Sequence, residues 1–251
     1  MVEKIIVNPE GIRGLGNIVK KHTINDYITY NCLVEEETAT IGGVDVQVYE
    51  MEMINPTLFY DECSADNTSQ YDTIVRIGST TNVSSMAYDS SENAYLVSNR
   101  TTHDAFFGWV IPNIRGQDNI RISLKCKLSS NNPYNQLLIG CADTIAYSST
   151  SGTFDLWRIR GDNKSDYLHN NSNEVTGSSS PTSVYNQYVT VVFEKTGTTI
   201  VGKVYNSSDT LLRTYTYTSA NRYTNPYFFI MGNTNRSADT KYIKGIKAEP
   251  L

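Results

Sequence analysis

A meander of alternating segments near the C-terminus constrains this chain more than any other stretch. Val189-Thr190-Val191-Val192-Phe193 places large apolar side chains at alternate positions, the period of a half-buried strand. Lys195-Thr196-Gly197-Thr198 supplies a turn in which Gly197 can take the positive φ of a tight hairpin. The chain returns through Thr199-Ile200-Val201-Gly202-Lys203-Val204-Tyr205 and turns again at Asn206-Ser207-Ser208-Asp209. Leu211-Leu212-Arg213-Thr214-Tyr215-Thr216-Tyr217 then completes three antiparallel strands, with further strands expected over 227–231 and 241–247. No helical periodicity interrupts this region, so the fold must be built from sheets.

The rest of the chain repeats the theme. Residues 119–128, with Ile120, Ile122, Leu124, Cys126 and Leu128 on one face, hold the cleanest period-two pattern. Shorter strands are expected over 73–77, 94–99, 106–111, 137–142 and 154–160, with 84–90 a loop or short strand. Residues 161–185, rich in Asn, Ser and Gly, read as a long surface loop. About a dozen short strands joined by polar turns indicate a two-sheet sandwich.

Residues 1–56 read differently and form a small β-rich N-terminal module, followed by the main domain over 57–251. A short apolar strand, 5–7, precedes a segment punctuated by Gly11, Gly14 and Gly16. That segment fails as a dinucleotide-binding loop because the third glycine, the helix and the acidic partner are missing. Residues 27–34 and 44–53 flank Gly42-Gly43 and read as a hairpin. Glu35-Glu36-Glu37 is most simply a solvated strand end. A lone hairpin is marginal in water, so this module is expected to lean on the next domain, on sister copies or on a larger scaffold.

Composition narrows the function classes. The net charge of −5 lacks the basic footprint of a nucleic-acid binder. No run of about 18 apolar residues is present, which excludes a membrane-spanning helix. Tyrosine is abundant, at 18 residues, beside many Asn, Ser and Thr: β-branched and aromatic side chains for the interior, hydroxyls and amides for the surface. Cys32, Cys63, Cys126 and Cys141 have neither CxxC spacing nor histidine companions, so zinc is not indicated. They read as reduced core hydrophobes, with a Cys126–Cys141 bridge as the alternative.

Five stretches together resemble the concanavalin-A-like (laminin-G-like) jelly roll: Phe59-Tyr60-Asp61-Glu62, Ala94-Tyr95-Leu96-Val97-Ser98-Asn99, Arg121-Ile122-Ser123-Leu124-Lys125-Cys126-Lys127, Val191-Val192-Phe193-Glu194-Lys195 and Tyr242-Ile243-Lys244-Gly245-Ile246-Lys247. The resemblance covers residues 58–251. It implies an all-β, two-sheet jelly-roll sandwich behind a small attachment or oligomerisation module. Domains of this shape occur in tail-fibre, baseplate and head-fibre proteins of tailed phages and archaeal viruses. The implied role is recognition of host-surface glycans by a homotrimer docked to virion tail or capsid proteins. The first nine residues are too short an apolar run for a secretory signal, and no small-residue cleavage site follows. Export inside a virus particle fits that reading, with a cell-surface carbohydrate-binding module or adhesin as the alternative.

Some jelly rolls of this shape hydrolyse glycosides with paired carboxylates, and no such pair is patterned here. His22, His103 and His169 lie in polar, loop-like stretches without a Ser or Cys nucleophile beside them, so a non-enzymatic protein is expected. Sugars are bound by aromatic rings that stack on their apolar faces and by amides and carboxylates that bond hydroxyls. The candidates are Tyr134, Tyr147, Tyr167, Tyr185, Tyr223, Trp157 and Asp155. If Phe154 and Leu156 face the core, Trp157 becomes an outward stacking platform beside Asp155; if Trp157 and Ile159 face inward, it is core. No cofactor is expected beyond the calcium usual in this fold, for which Asp61, Asp66 and Asp239 are the candidate ligands, brought together if the first and last strands pair. Solvated loop carboxylates are the alternative reading for these three.

Overall fold

The computed structural model describes residues 57–71, 86–97, 108–144, 153–162, 185–218, 220–232 and 239–251 in full, and elsewhere the backbone of strands alone. The chain divides into two compact units, Met1–Leu58 and Phe59–Glu249.

The first unit is an antiparallel sheet in the order β1-β4-β3-β2, formed by β1 (Val2–Val7), β2 (Lys20–Asn25), β3 (Ile28–Ile41) and β4 (Val44–Met53). The expected hairpin is present, with Ile41 paired to Val44 across residues 42 and 43. It is longer than the sequence suggested. Glu35-Glu36-Glu37 is not a strand end: β3 continues through it, and the register sets these residues opposite Glu50, Tyr49 and Val48. Backbone pairing with β4 outweighs the low strand preference of glutamate. The glycine-punctuated segment of residues 11–17 lies outside the described residues.

The second unit is an all-β sandwich of two antiparallel sheets. Its strands are β5 (Phe59–Asp61), β6 (Ile74–Ile77), β7 (Ser84–Asp89), β8 (Ala94–Asn99), β9 (Phe106–Val110), β10 (Asn119–Leu128), β11 (Gln136–Ala142), β12 (Phe154–Arg160), β13 (Ser165–His169), β14 (Ser172–Thr176), β15 (Val189–Thr196), β16 (Thr199–Tyr205), β17 (Leu211–Tyr217), β18 (Tyr227–Asn233) and β19 (Lys241–Pro250). Among the described residues, one sheet runs β17-β16-β15-β10-β19-β8-β7, with β5 also paired to β19. The other runs β14-β13-β12-β11-β18-β9-β6. The long loop expected over 161–185 instead contains the β13–β14 hairpin, which extends the second sheet from β12. Its Asn- and Ser-rich composition hid the alternation.

The core follows the alternation. On β10, Ile120, Ile122, Leu124, Cys126 and Leu128 are buried while the residues between them are half-buried or exposed. Val189, Val191 and Phe193 on β15, and Ile200 and Val204 on β16, extend this apolar face. In the second sheet the row Trp109, Ile230, Ile139 and Trp157 crosses four strands in register. A Cβ added to Gly202 on β16 would fall 2.3 Å from Trp157 Cε2, so the indole packs directly on the facing sheet. The opposite face of the second sheet also carries an apolar cluster, with Leu138, Phe154, Leu156, Phe229 and Met231 fully buried. Cys63, Cys126 and Cys141 are buried free thiols, so Cys126 and Cys141 are not bridged. Burial pushes the Cys126 thiol up to about 12. Burial and then the nearby Asp61 charge do the same for Cys63.

Candidate functional site

Three of the residues expected to bind sugar lie in the interior. Both faces of β12 are covered, and Trp157 and Asp155 are each 0% exposed. The Tyr223 hydroxyl donates to Asp155 Oδ2 at 2.8 Å, and the Asn221 backbone N–H donates to the same oxygen at 2.9 Å. Buried Lys195 caps this cluster, donating to the carbonyls of Gly197 and, at 3.1 Å, Asn221. Desolvation, followed by the charges of Cys141 and Asp155, raises the Tyr223 pKa and keeps its phenol a donor. This is a polar joint within the protein interior: a buried carboxylate tolerated because donors surround it. Trp157, Asp155 and Tyr223 therefore have structural roles and offer no stacking surface to an external ligand.

Of the other four candidate tyrosines, Tyr134 and Tyr185 fall among the fully described residues. Tyr134 is half-buried in the β10–β11 connection, where its backbone N–H donates to Asn132 Oδ1 at 3.0 Å. Tyr185 forms an isolated parallel bridge to Leu128. Tyr167 sits on β13, in register with Trp157, and its side chain lies outside the described residues. Tyr147 lies outside them entirely.

Two of the proposed calcium ligands, Asp61 and Asp239, are separated by the strand pairing that was meant to unite them. β5 does pair with β19, but Asp61 is opposite Ile246. Asp239 lies seven positions earlier, which at about 3.3 Å per residue is on the order of 20 Å along the strand. Each carboxylate also has other partners. Asp61 is buried and accepts from Cys63 N at 2.9 Å, Asn67 Nδ2 at 3.2 Å, Tyr71 Oη at 3.1 Å and Tyr95 Oη at 2.5 Å. Exposed Asp66 accepts from the Thr68 backbone and hydroxyl, which lower its pKa. Asp239 accepts from Asn132 Nδ2 at 2.7 Å. No group of three His, Cys, Asp or Glu side chains suited to a metal occurs among the described residues.

Among the described residues an open groove lies elsewhere, on the outer face of the β10-bearing sheet. A depression of about 520 Å³ has Ser123 and Lys125 of β10, Thr190 of β15 and Lys244 and Lys247 of β19 as its floor, with Tyr60, Glu62, Ser64 and Asn93 at its edge. The buried Asp61 positions that edge, because its bonds to Cys63 and Asn67 hold the chain leaving β5. The Tyr88 hydroxyl sits between the two loops, with Ser64 O at 2.9 Å and Asn93 Oδ1 at 3.1 Å as alternative acceptors for its one proton. Alternation supplies the rest: Phe59 and Asp61 point inward, so Tyr60 points out and is 57% exposed. Gly245, at φ 60°, lies in β19 between its pairings with β8 and β5. The alternation of β19 is interrupted there, and Lys244 and Gly245 fall on successive half-buried positions.

The groove's charges differ in how they are engaged. Lys244 donates to the Glu92 carbonyl at 3.3 Å and lies 3.9 Å from the Tyr188 ring centre. Glu92 is itself fixed by Lys127 at 2.5 Å and the Tyr188 hydroxyl at 3.0 Å, and the Lys127 hydrogen bond is the main cause of its lowered pKa. Lys247 pairs with Glu249. Lys125, Glu62 and the Tyr60 hydroxyl make no hydrogen bond or ion pair with the described residues.

A second depression of about 440 Å³ shares Ser123 and Thr190 with the first and continues to Lys203 and Tyr205 on β16. There Glu194 is gripped by Arg121 and Lys203, each at 2.8 Å. Burial raises the Glu194 pKa, but those two cations outweigh it and the net shift is downward. The two depressions lie side by side across β19, β10, β15 and β16. Sequence reading overlooked this surface although its signal was present, as the polar complement Arg121, Ser123, Lys125 and Lys127 of the strongest apolar alternation in the chain.

No protein-family model matches the chain, and no curated protein matches it in sequence. Solved structures do resemble it. Arcelin-5, a lectin-like defence protein from Phaseolus vulgaris, superposes with a TM-score of 0.55 at 7% identity, covering 77% of this chain and 97% of that one. Lectin I-B4 from Griffonia simplicifolia, in a metal-free form, gives 0.56 at 8%, covering 77% and 99%. The exoplasmic/lumenal domain of VIP36, bound to Ca²⁺ and Man3GlcNAc, gives 0.51 at 10%, covering 72% and 86%. Identities this low speak to architecture alone, and the architecture is that of the concanavalin-A-like, legume-lectin jelly roll.

Proposed function

We propose that this chain is a non-enzymatic, glycan-binding protein that serves as a structural and receptor-binding component of a tailed virus particle. One observation carries the glycan reading: a lectin-type sandwich presents an open groove where exposed Tyr60 stands beside unpaired donors and acceptors. A ring with one polar end can stack on a sugar's apolar face, and the surrounding hydroxyl, amide and charged groups can bond its hydroxyls. VIP36, of the same architecture, was solved with a mannose-containing glycan.

The carboxylates support a protein without hydrolytic activity. Glycoside hydrolysis uses two acidic groups, one with a raised pKa to act as general acid. Glu62 is the one acidic residue among those lining the larger depression. The smaller one carries two carboxylates, Glu194 and exposed Asp209, but Glu194 is held ionised by Arg121 and Lys203 and so does not serve as the acid. Asp61 and Asp155 are buried, out of a substrate's reach.

The first unit supplies the means of attachment. In its sheet β1 and β2 are the outermost strands, and edge strands accept further strands from sister chains or from capsid or tail proteins. A homotrimer on a particle would convert weak individual sugar contacts into avidity. Light scattering coupled to size-exclusion chromatography, together with a broad glycan array, tests the reading. A trimer that retains glycans is expected. A monomer that binds no glycan would overturn it, and release of reducing sugar would refute its non-enzymatic part.

A further inference from the structure

We infer that the groove on the outer face of the β10-bearing sheet is the glycan site, and that it takes sugars bearing an anionic group, a carboxylate or a phosphate or sulfate ester. The inference rests on the glycan-binding reading above and adds the site and the ligand's charge. The lining is net positive, with Lys125, Lys244 and Lys247 against Glu62, in a chain whose net charge is −5. A basic patch on an acidic protein is a local feature that overall composition does not produce, and it draws anions selectively.

The three lysines are not equivalent. Lys244 is tied to the Glu92 carbonyl and the Tyr188 ring, and Lys247 to Glu249. Lys125 is exposed, and its ammonium has no partner among the described residues. An anionic sugar substituent would complete it with a charge-assisted hydrogen bond, which is stronger than bonds between neutral groups. Tyr60, at the groove's edge, supplies the stacking surface that selects a sugar over a simple ion. Glu62 beside it accepts from ring hydroxyls. The floor is open at Gly245, where a Cβ would meet no atom within 4 Å.

The groove also has length. With the smaller depression it spans β19, β10, β15 and β16, three inter-strand spacings of about 4.8 Å, beyond which Tyr60 stands at the edge. In the smaller depression Arg121 and Lys203 are balanced by Glu194, which pairs with both, and by Asp209, so that end offers hydrogen bonds without net charge. The arrangement therefore fits a polymer whose anionic group sits over Lys125 and whose neutral remainder runs toward Tyr205.

The full chain should be titrated calorimetrically with three polysaccharide sets: neutral (mannan, galactan), carboxylated (polygalacturonate, polysialate) and phosphate- or sulfate-bearing (teichoic acid, dextran sulfate). Binding to one of the anionic sets is expected, and which one identifies the anion's source. Lys125→Glu and Tyr60→Ala should each weaken that binding by about tenfold or more, the scale of losing one charge-assisted bond or one aromatic platform. Both side chains are exposed, so circular dichroism melts of the variants should match the parent. Neutral glycans bound as tightly as anionic ones, or anionic binding that both variants retain, would overturn this inference and leave glycan binding standing. Failure of the unmodified chain to bind any set would instead remove the reading beneath it.

Discussion

Lys241 offers the sharpest test of how this sandwich tolerates charge. It is the first residue of β19, fully buried, and its Nζ has no hydrogen-bond partner among the described residues. Desolvation pushes its pKa down from 10.5 to about 7, against an opposing pull from Asp239. Because the folded state gives up this proton more readily than the unfolded chain, the unfolded state binds more protons between pH 7 and 10.5, and stability rises with pH across that window. From those two pKa values, burying Lys241 opposes folding by about 4 kcal/mol at pH 7 and by about 2 kcal/mol at pH 9. Lys241→Met keeps most of the side chain's length and removes the titration. The variant should be more stable than the parent by several kcal/mol at pH 7, and that gain should shrink by about 2 kcal/mol at pH 9. Guanidinium denaturation of both proteins at half-unit steps from pH 6 to 10 measures it. Proteins whose stabilities run parallel with pH would refute the argument, as would a variant that is weaker at every pH.

Two further outcomes follow from packing in the same unit. Gly202→Ala forces a methyl group to within 2.3 Å of the Trp157 indole, so stability should fall by about 1–3 kcal/mol, read as a lowered urea midpoint with unchanged slope. An unchanged midpoint would mean that the sheets do not meet at that point. Cys63, Cys126 and Cys141 are buried with raised pKa values, so Ellman's reagent at pH 8 should label at most one of the four cysteines quickly in the native protein and all four after unfolding. Rapid native labelling of two or more thiols would contradict their burial.

The comparison between chain and fold turns on what alternation can encode. On β10, β15 and β16 the side chains alternate strictly, so the apolar face and its solvent-facing complement follow from the residues alone. β12 gives no such signal. All but the last of Phe154, Asp155, Leu156, Trp157, Arg158, Ile159 and Arg160 are buried, because both faces of that strand are covered. Whether Trp157 stacks on a ligand or fills the core is then decided by Gly202 on a strand 45 positions later, which leaves room for the indole. The polar hairpin of β13 and β14 was hidden for the opposite reason, since few of its side chains are large and apolar.

The sequence alone determined that this is an all-β protein with a sandwich over most of its length, because period two is a local property of the backbone that each strand carries by itself. It also determined which side chains of the regular strands point inward. Only the tertiary structure decided what those strands bring together: Asp155 with Tyr223 and Lys195 in the interior, Asp61 far from Asp239 along paired strands, and Tyr60 and Lys125 around one open groove. Such meetings depend on strand order and register across long separations. Backbone hydrogen bonds and the burial of both sheets fix these for the folded chain as a whole, and no single segment specifies them.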